Sequence, residues 1–304
     1  MSEPNYKLVQ LVNGTFSIHS LAEKETFHPV VGPVAEAQGL YVDQLKLVER
    51  MRVSAEEFVI WDVGLGAAAN VLTALRATRE LECPVRVISF DRTIEPLEFA
   101  LRHEQELGYL TGYEEAVKDF LRDGKVSFLN GRQKVEWVLH LGEFPRFVGA
   151  PTKEVSLPLN EPRLAGTLAP PASSYPAPHA ILFDAYSPAT NPDMWTEPLF
   201  SGLFRMLDLR RPCALPTYSR STMLRVTLLL AGFFVGVGHP TGEKDETTLA
   251  ANTLELLDEP LPVEWLERVR KSRSAEPMWE PVYRQAPLSA ESWAKLLAHP
   301  QFKV

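Results

Sequence analysis

ILFDAYSPATNPDMW, residues 181–195, packs three signals into one short stretch. Ile181-Leu182-Phe183 is a short apolar run, the pattern of a strand buried on both faces in a parallel sheet. It stops at Asp184, a carboxylate at the strand's carboxyl end. Tyr186, Ser187 and Pro188 follow, then a helix start in which Asn191 is placed to cap and Pro192 takes the first helical position. Open α/β sheets bind ligands beyond the carboxyl ends of their strands. An Asp-Ala-Tyr-Ser-Pro step there marks the place to look for chemistry.

Working outward, the same strand-then-polar-residue pattern recurs upstream. Phe58-Val59-Ile60-Trp61 predicts a strand entering Asp62-Val63-Gly64-Leu65-Gly66 and an alanine- and leucine-rich helix to about Leu81. Glycines at such a junction let backbone approach a ligand, and a helix amino terminus adds partial positive charge. Alanines, Ala68 among them, fill the stretch where a dinucleotide fingerprint has its third glycine, which speaks against a pyrophosphate ligand. Val85–Phe90 predicts a second strand ending in Asp91, where a carboxylate suits the hydroxyls of a ribose. Helices are expected at about 95–106 and 114–122, a third strand at Val126–Leu129, and a helix over Gln133–Leu141. Strands at 180–183 and about 213–218 are each followed by a helix, 192–207 and 221–231, and residues 233–237 and 247–251 suit a closing antiparallel pair. Upstream, Asn13-Gly14 signals a hairpin within residues 6–20, and apolar spacing predicts a helix from Pro33 to about Arg50. Five βα units and a hairpin make a doubly wound, Rossmann-like α/β sheet, mostly parallel.

Composition narrows the function classes. The chain has 304 residues, 45% hydrophobic and 23% charged, which is ordinary for a globular protein. Its two cysteines, Cys83 and Cys213, are far apart and lack metal-ligand spacing, so a reduced, cytoplasmic setting is expected and no metal site. MSEPNYKLVQ is neither a signal nor a transit sequence. The most apolar long run, Met223–Gly238, is interrupted by Arg225 and three glycines and is too short to span a membrane. A net charge of −8 repels nucleic acid on average, so a polyanion partner needs a local basic patch. The densest basic run, Arg268-Val-Arg270-Lys271-Ser-Arg273, suits either phosphate contact or a solvated helix end. The tail tryptophans Trp265, Trp279 and Trp293 are too widely spaced for a stacking platform and read as packing anchors.

With these motifs in place, the chain resembles a class I S-adenosylmethionine-dependent methyltransferase, and more narrowly the methyltransferase domain of the tRNA-modifying MnmC family. DAYSPATNPDMW is similar to that family's Asp-Gly-Phe-Ala-Pro-Ala-Lys-Asn-Pro-(Asp/Glu)-Met-Trp signature. GLGAAAN keeps Gly64, Gly66 and Asn70 of its Gly-Phe-Gly-Thr-Gly-Leu-Asn. Thr217-Tyr218-Ser219, Arg225 and Ala231-Gly232-Phe233 resemble its later Thr-Tyr-Thr…Arg…Ala-Gly-Phe run, and NGTFSIHS…ETFHPVVGPVAEA its lead-in. The likeness covers roughly residues 13–250, and no segment resembles the flavin-dependent oxidase domain fused to some members.

The resemblance implies methyl transfer from S-adenosylmethionine to the exocyclic amine of an aminomethylated wobble uridine in tRNA, with a flavin-dependent oxidase acting upstream as a separate chain. It implies cofactor contacts from Asp62, Gly64, Gly66, Asn70, Asp91, Asn130 and Asp184, catalysis by Asp184 with Tyr186, and substrate contacts from Tyr186, Ser187, Tyr218 and Lys244. His28 precedes Gly32 and Glu36, and the lead-in resemblance would let it line the pocket; as a lone histidine before a helix it reads more simply as structural. The chain departs from the family at Asn130-Gly131-Arg132, where Gly-Asp would meet the adenine, and at Gly242–Glu246, where Lys244 remains and two arginines are lost. These departures keep two alternatives open: methylation of another amine on a small molecule or other RNA, or a partner protein without catalysis. The expected organisation is an N-terminal extension (1–50), a methyltransferase domain (51–253) with a proline-rich insertion at 142–178, and a C-terminal extension (254–304).

Overall fold

The computed structural model describes residues 5–152, 175–242 and 245–303. Three short strands open it: β1 (Tyr6–Gln10), β2 (Phe16–Ser20) and β3 (Glu25–Thr26) form an antiparallel sheet in the order β1-β2-β3. The expected helix from Pro33 is interrupted. Helix α1 (Pro33–Ala37) runs into a wide π turn at Gln38–Asp43, Lys46 takes a left-handed conformation, and α2 (Leu47–Arg52) follows. The wide turn carries Tyr41, fully buried, whose hydroxyl donates to the Phe183 carbonyl at 2.9 Å. A tertiary contact thus overrides the regular helical spacing.

The main sheet has eight strands in the order β10-β11-β9-β8-β4-β5-β7-β6. Its central five, β4 (Phe58–Val63), β5 (Val85–Asp91), β7 (Gln133–Leu141), β8 (Ala180–Phe183) and β9 (Ala214–Thr217), are parallel. β6 (Lys125–Asn130), β10 (Phe234–Gly238) and β11 (Thr247–Ala251) complete the two edges through antiparallel pairings. Helices α3 (Ala69–Thr78), α4 (Glu95–Arg102), α5 (Glu104–Leu107) and α6 (Glu114–Asp123) precede β6; α7 (Phe144–Phe147) follows β7; α8 (Glu197–Arg205) and α9 (Thr222–Leu230) connect β8, β9 and β10; α10 (Trp265–Lys271) and α11 (Ala290–Leu297) close the chain. Buried β4 and β8 read as continuous apolar runs because both faces are covered. One core packs the N-terminal segment and α3 to α6 on one face, and the other packs α7 to α11 on the opposite face.

Two expectations are corrected here. Residues 133–141 form a strand, not a helix, and β6 is therefore the antiparallel arm of a β6–β7 hairpin rather than the third parallel strand. The physical reason lies in the spacing: Val135, Trp137 and Leu139 alternate with Lys134, Glu136, Val138 and His140, a period of two that places Trp137 against Phe120, ring centroids 4.1 Å apart. At the start of α8 the side chain of Asn191 makes no cap; a 3-10 turn covers Pro192–Trp195, and Thr196 caps the helix instead by accepting from the Leu199 amide. Among the described residues no helix is long and apolar enough to cross a membrane.

Candidate active site

The chain runs from β4 outward to β5 and β7, then returns to place β8 on the other side of β4. That reversal makes a switch point at the carboxyl ends of β4 and β8. A cleft of about 770 Å³ opens there, lined by residues that follow all five parallel strands: Gly64 to Asn70, Asp91 to Thr93, Gly142 to Phe144, Asp184 to Ser187, and Tyr218. Much of the remaining wall comes from the N-terminal segment, including Glu25, Phe27, His28 and Glu36.

The glycine loop is shaped by two close approaches. Gly64 has φ +91°, and a Cβ on it would stand 2.5 Å from the Asp184 carbonyl oxygen, so only glycine lets the ends of β4 and β8 meet. The Gly66 amide donates to Asp91 Oδ2 at 2.9 Å, while Asp91 Oδ1 accepts from the amides of Arg92 (2.7 Å) and Thr93 (3.2 Å). Burial pushes the Asp91 carboxyl up, and these three amides pull it back. Asp62 lies beneath the cleft, 1% exposed and outside its lining. Its Oδ2 accepts from Ser89 Oγ (2.7 Å), which in turn accepts from Trp137 Nε1 (2.9 Å). Burial, aided by the charges of Asp91 and Asp184, pushes Asp62 up to about 8, with the Ser89 bond opposing.

Asp184 sits at the centre. Asn70 Nδ2 donates to its Oδ2 at 2.8 Å, and His28 Nε2 lies 3.5 Å from the same oxygen. Burial raises the Asp184 carboxyl and the nearby Glu36 charge adds to the rise; His28 and Asn70 act against it. His28 Nδ1 in turn meets Glu36 Oε1 at 3.3 Å. Burial alone would disfavour the charged imidazole, but Asp184 and Glu36 prevail and hold it at about 9. His28 therefore belongs to the site rather than to the scaffold.

Tyr186 and Ser187 are fixed by the N-terminal segment. The Tyr186 hydroxyl shares a hydrogen bond with Ser20, and its ring meets Phe27 edge-on at 5.8 Å. Ser187 Oγ donates to Glu25 Oε1 at 2.5 Å, and Thr190 donates to the same carboxylate. The Tyr218 hydroxyl donates to the Ala185 carbonyl at 3.2 Å.

Of the residues singled out from sequence, the cleft brings together Gly64, Gly66, Asn70, Asp91, Asp184, Tyr186, Ser187 and Tyr218. Asn130 is not among them. The antiparallel course of β6 carries it to the opposite end of the sheet, where its amide donates to the Leu75 carbonyl and its oxygen accepts from Tyr113. The strand end that does reach the cleft is Leu141-Gly142-Glu143, which supplies a glycine–acid pair. Lys244 lies outside the described residues. In the basic run near the C-terminus, Arg268 faces Glu246 at 3.8 Å, Lys271 faces Glu267 at 3.5 Å, and Arg270 stacks over Trp293. Sequence reasoning did not reach Glu25, Phe27, Glu36 and Glu143 as site residues; the lead-in motif around His28 is a signal for the first three, and Glu143 has none in that motif. Among the described residues no group of three or more His, Cys, Asp or Glu is placed to hold a metal ion.

Known proteins resemble this chain in sequence and in fold. Residues 172–253 match the family described as S-adenosyl-L-methionine-dependent methyltransferase. The chain is 27% identical over 264 residues to the tRNA 5-methylaminomethyl-2-thiouridine biosynthesis bifunctional protein MnmC of Ralstonia nicotianae, covering 84% of this chain and 34% of that protein. The same-named protein of Aeromonas salmonicida is 28% identical over 214 residues, 66% of this chain and 28% of its own length. The chain thus spans about a third of the length of these relatives. The crystal structure of MnmC2 from Aquifex aeolicus superposes with a TM-score of 0.65 at 20% identity, covering 97% of this chain and 85% of that one, which shows the fold.

Proposed function

We infer that this chain, an MnmC-like S-adenosylmethionine-dependent methyltransferase domain, methylates the aminomethyl group of a modified wobble uridine in tRNA. The observation that carries the reading is the placement of Asp184. It is a half-buried carboxylate at the switch point, anchored through one oxygen by Asn70 and facing a cleft built from five strand ends. Such a substrate places the work in the cytoplasm and requires an oxidase, fused or separate, that supplies the aminomethyl group.

The cleft fits the methyl donor on its own features. Gly64 and Gly66 leave a cradle that side chains would fill, and Asn70 Oδ1 is buried without a partner among the described residues, as an acceptor for an ammonium group would be. Asp91 retains acceptor capacity beyond its three amide bonds for ribose hydroxyls. Glu143 takes the adenine-side position assigned from sequence to Asn130. Asp62 supports the loop from below rather than touching the ligand. When bound, S-adenosylmethionine supplies an electrophilic methyl group on a sulfonium.

The chain's own share is to prepare the amine. With a lysine-like pKa of about 10.4, on the order of one amine in two thousand is neutral at pH 7. Both neighbours of Asp184 use Oδ2, so Oδ1 is the oxygen offered to the substrate ammonium, taking its proton and leaving the nitrogen lone pair free. Tyr186, held by Ser20 and Phe27, stacks on the base or covers the sulfonium with its π face. The Gly142-Glu143 pair removes the reason drawn from Asn130 for a non-catalytic protein.

The test is methyl transfer from labelled S-adenosylmethionine to bulk tRNA from a strain lacking the gene, followed by nucleoside analysis. Label in 5-methylaminomethyluridine or its 2-thio form is the expected result. No label, with S-adenosylhomocysteine still bound in calorimetry, would overturn the substrate and keep the cofactor.

A further inference from the structure

We propose that His28, clamped between Glu36 and Asp184, is the positioning residue that fixes the Asp184 carboxylate and keeps its negative charge available to the substrate amine. This rests on the reading of the cleft as an amine methylation site. The argument begins with hydrogen-bonding capacity. Nδ1 of His28 meets Glu36 Oε1 at 3.3 Å, and Nε2 lies 3.5 Å from Asp184 Oδ2. A neutral imidazole has a single N–H and would aim a lone pair at one of the two carboxylates. Only the imidazolium turns an N–H toward both, as a hydrogen bond to Glu36 and an ion pair with Asp184. The two carboxylates and the imidazolium then sum to one negative charge rather than two, which suits a single ammonium guest.

The backbone supports a specific role. His28 has φ +47°, a left-handed conformation that costs a non-glycine residue energy. The strain turns the ring inward, its side chain only 8% exposed, between a helix of the N-terminal segment and the end of β8. Asp184 thereby obtains its cation only when the N-terminal segment is packed over the cleft.

The groups facing this unit come from every side. Glu36 stands on α1, Asp184 beyond β8, and Glu25 on β3. Tyr41 on the π turn and Tyr218 beyond β9 are phenols pushed up by burial and by Asp184, so they stay neutral over the working range. Asn70 on α3 completes the shell without a charge. His28 is thus the cation that balances the carboxylates here, and its hold at about 9 agrees with the geometry.

The test pairs kinetics with a direct view of the proton. In H28Q the amide keeps one donor group and loses the charge, so Asp184 holds its own proton to higher pH. The acid limb of kcat/KM moves up by about one pH unit or more, a loss approaching about tenfold on that limb, while S-adenosylhomocysteine binding in calorimetry reports that the cleft is intact. A limb in the wild-type position, whatever happens to kcat, overturns the proposal. Independently, heteronuclear NMR of the intact chain follows the His28 imidazole, assigned by through-bond correlation to its own backbone. In the wild type it keeps its proton past about pH 8, and in D184N it loses it at least about one unit lower. Equal titration in the two proteins overturns the coupling even if H28Q fails to fold. If the wild type methylates no aminomethyl nucleoside yet the NMR difference is present, the substrate reading fails and the His28–Asp184 coupling stands.

Discussion

Burial raises the Asp184 carboxyl, and His28 and Asn70 work against that rise, so its charge rests on these two neighbours. Replacing Asp184 with Asn preserves shape and removes the proton acceptor. D184N is expected to lose about 10²–10⁴-fold in methyl transfer, the usual contribution of a positioned general base, with S-adenosylhomocysteine affinity changed far less. Single-turnover transfer beside a calorimetric titration checks this; near-wild-type transfer would remove Asp184 from the chemistry. Gly64 makes the complementary point about backbone. A methyl group there would collide with the Asp184 carbonyl at 2.5 Å and must also adopt φ +91°. G64A is expected to cost at least about 1–3 kcal/mol of stability and to displace Asp184. Denaturant unfolding measures the first effect and residual transfer the second.

At the scale of elements, legibility followed locality. The steps from β4 to Gly64, from β5 to Asp91 and from β8 to Asp184 each occupy a few consecutive residues, so apolar run, turn and acid could be read together. β7 reads poorly from sequence because Val138 and His140 blur its alternation, and a helix there leaves β6 as the third parallel strand and Asn130, rather than Glu143, at the cleft end. The consequence is testable. E143A is expected to weaken S-adenosylhomocysteine binding by about tenfold, equivalent to about 1.4 kcal/mol. N130A, which strips partners from Tyr113 and the Leu75 carbonyl, should lower stability and leave affinity nearly unchanged. The reverse pattern in calorimetry and unfolding would restore Asn130. The N-terminal wall was illegible for a different reason. Glu25 meets Ser187 across 162 positions, and no local pattern encodes such a pairing. E25Q removes a charge-assisted latch on the loop after β8, so faster proteolysis within residues 20–32 and a raised KM for tRNA are expected, with kcat less affected.

Across the whole molecule, the buried ionisable groups give stability a pH dependence of definite sign. His179 and His299 are driven down to about 4 by burial, and their ordinary value is near 6.5. Between those values the unfolded chain binds more protons at these sites, so they make the protein more stable as pH rises from about 4 to about 6.5. Asp62 and His28 act the other way. Asp62 is raised from 3.8 to about 8 and His28 from 6.5 to about 9, so the folded chain binds more protons at each. Asp62 therefore subtracts stability as pH climbs from about 4 to about 8. His28 contributes stability in full below about 6.5 and loses it as pH passes through about 9. Above about 6.5 these two losses stand unopposed by the histidines that titrate low. The melting temperature is expected to fall steadily from about pH 6.5 toward pH 9. A change of about 1 kcal/mol corresponds to roughly 2–4 °C for chains approaching this size. D62N removes one of the two alkaline losses, so its curve should be flatter than that of the wild type between about pH 6.5 and 8 and parallel to it above. Calorimetric scans of both proteins across that range decide the matter. A wild-type melting temperature that rises from pH 7 to 9 would mean that Asp62 is ionised and His28 neutral in the folded chain, and would reverse the charge assignment on which the cleft's chemistry rests.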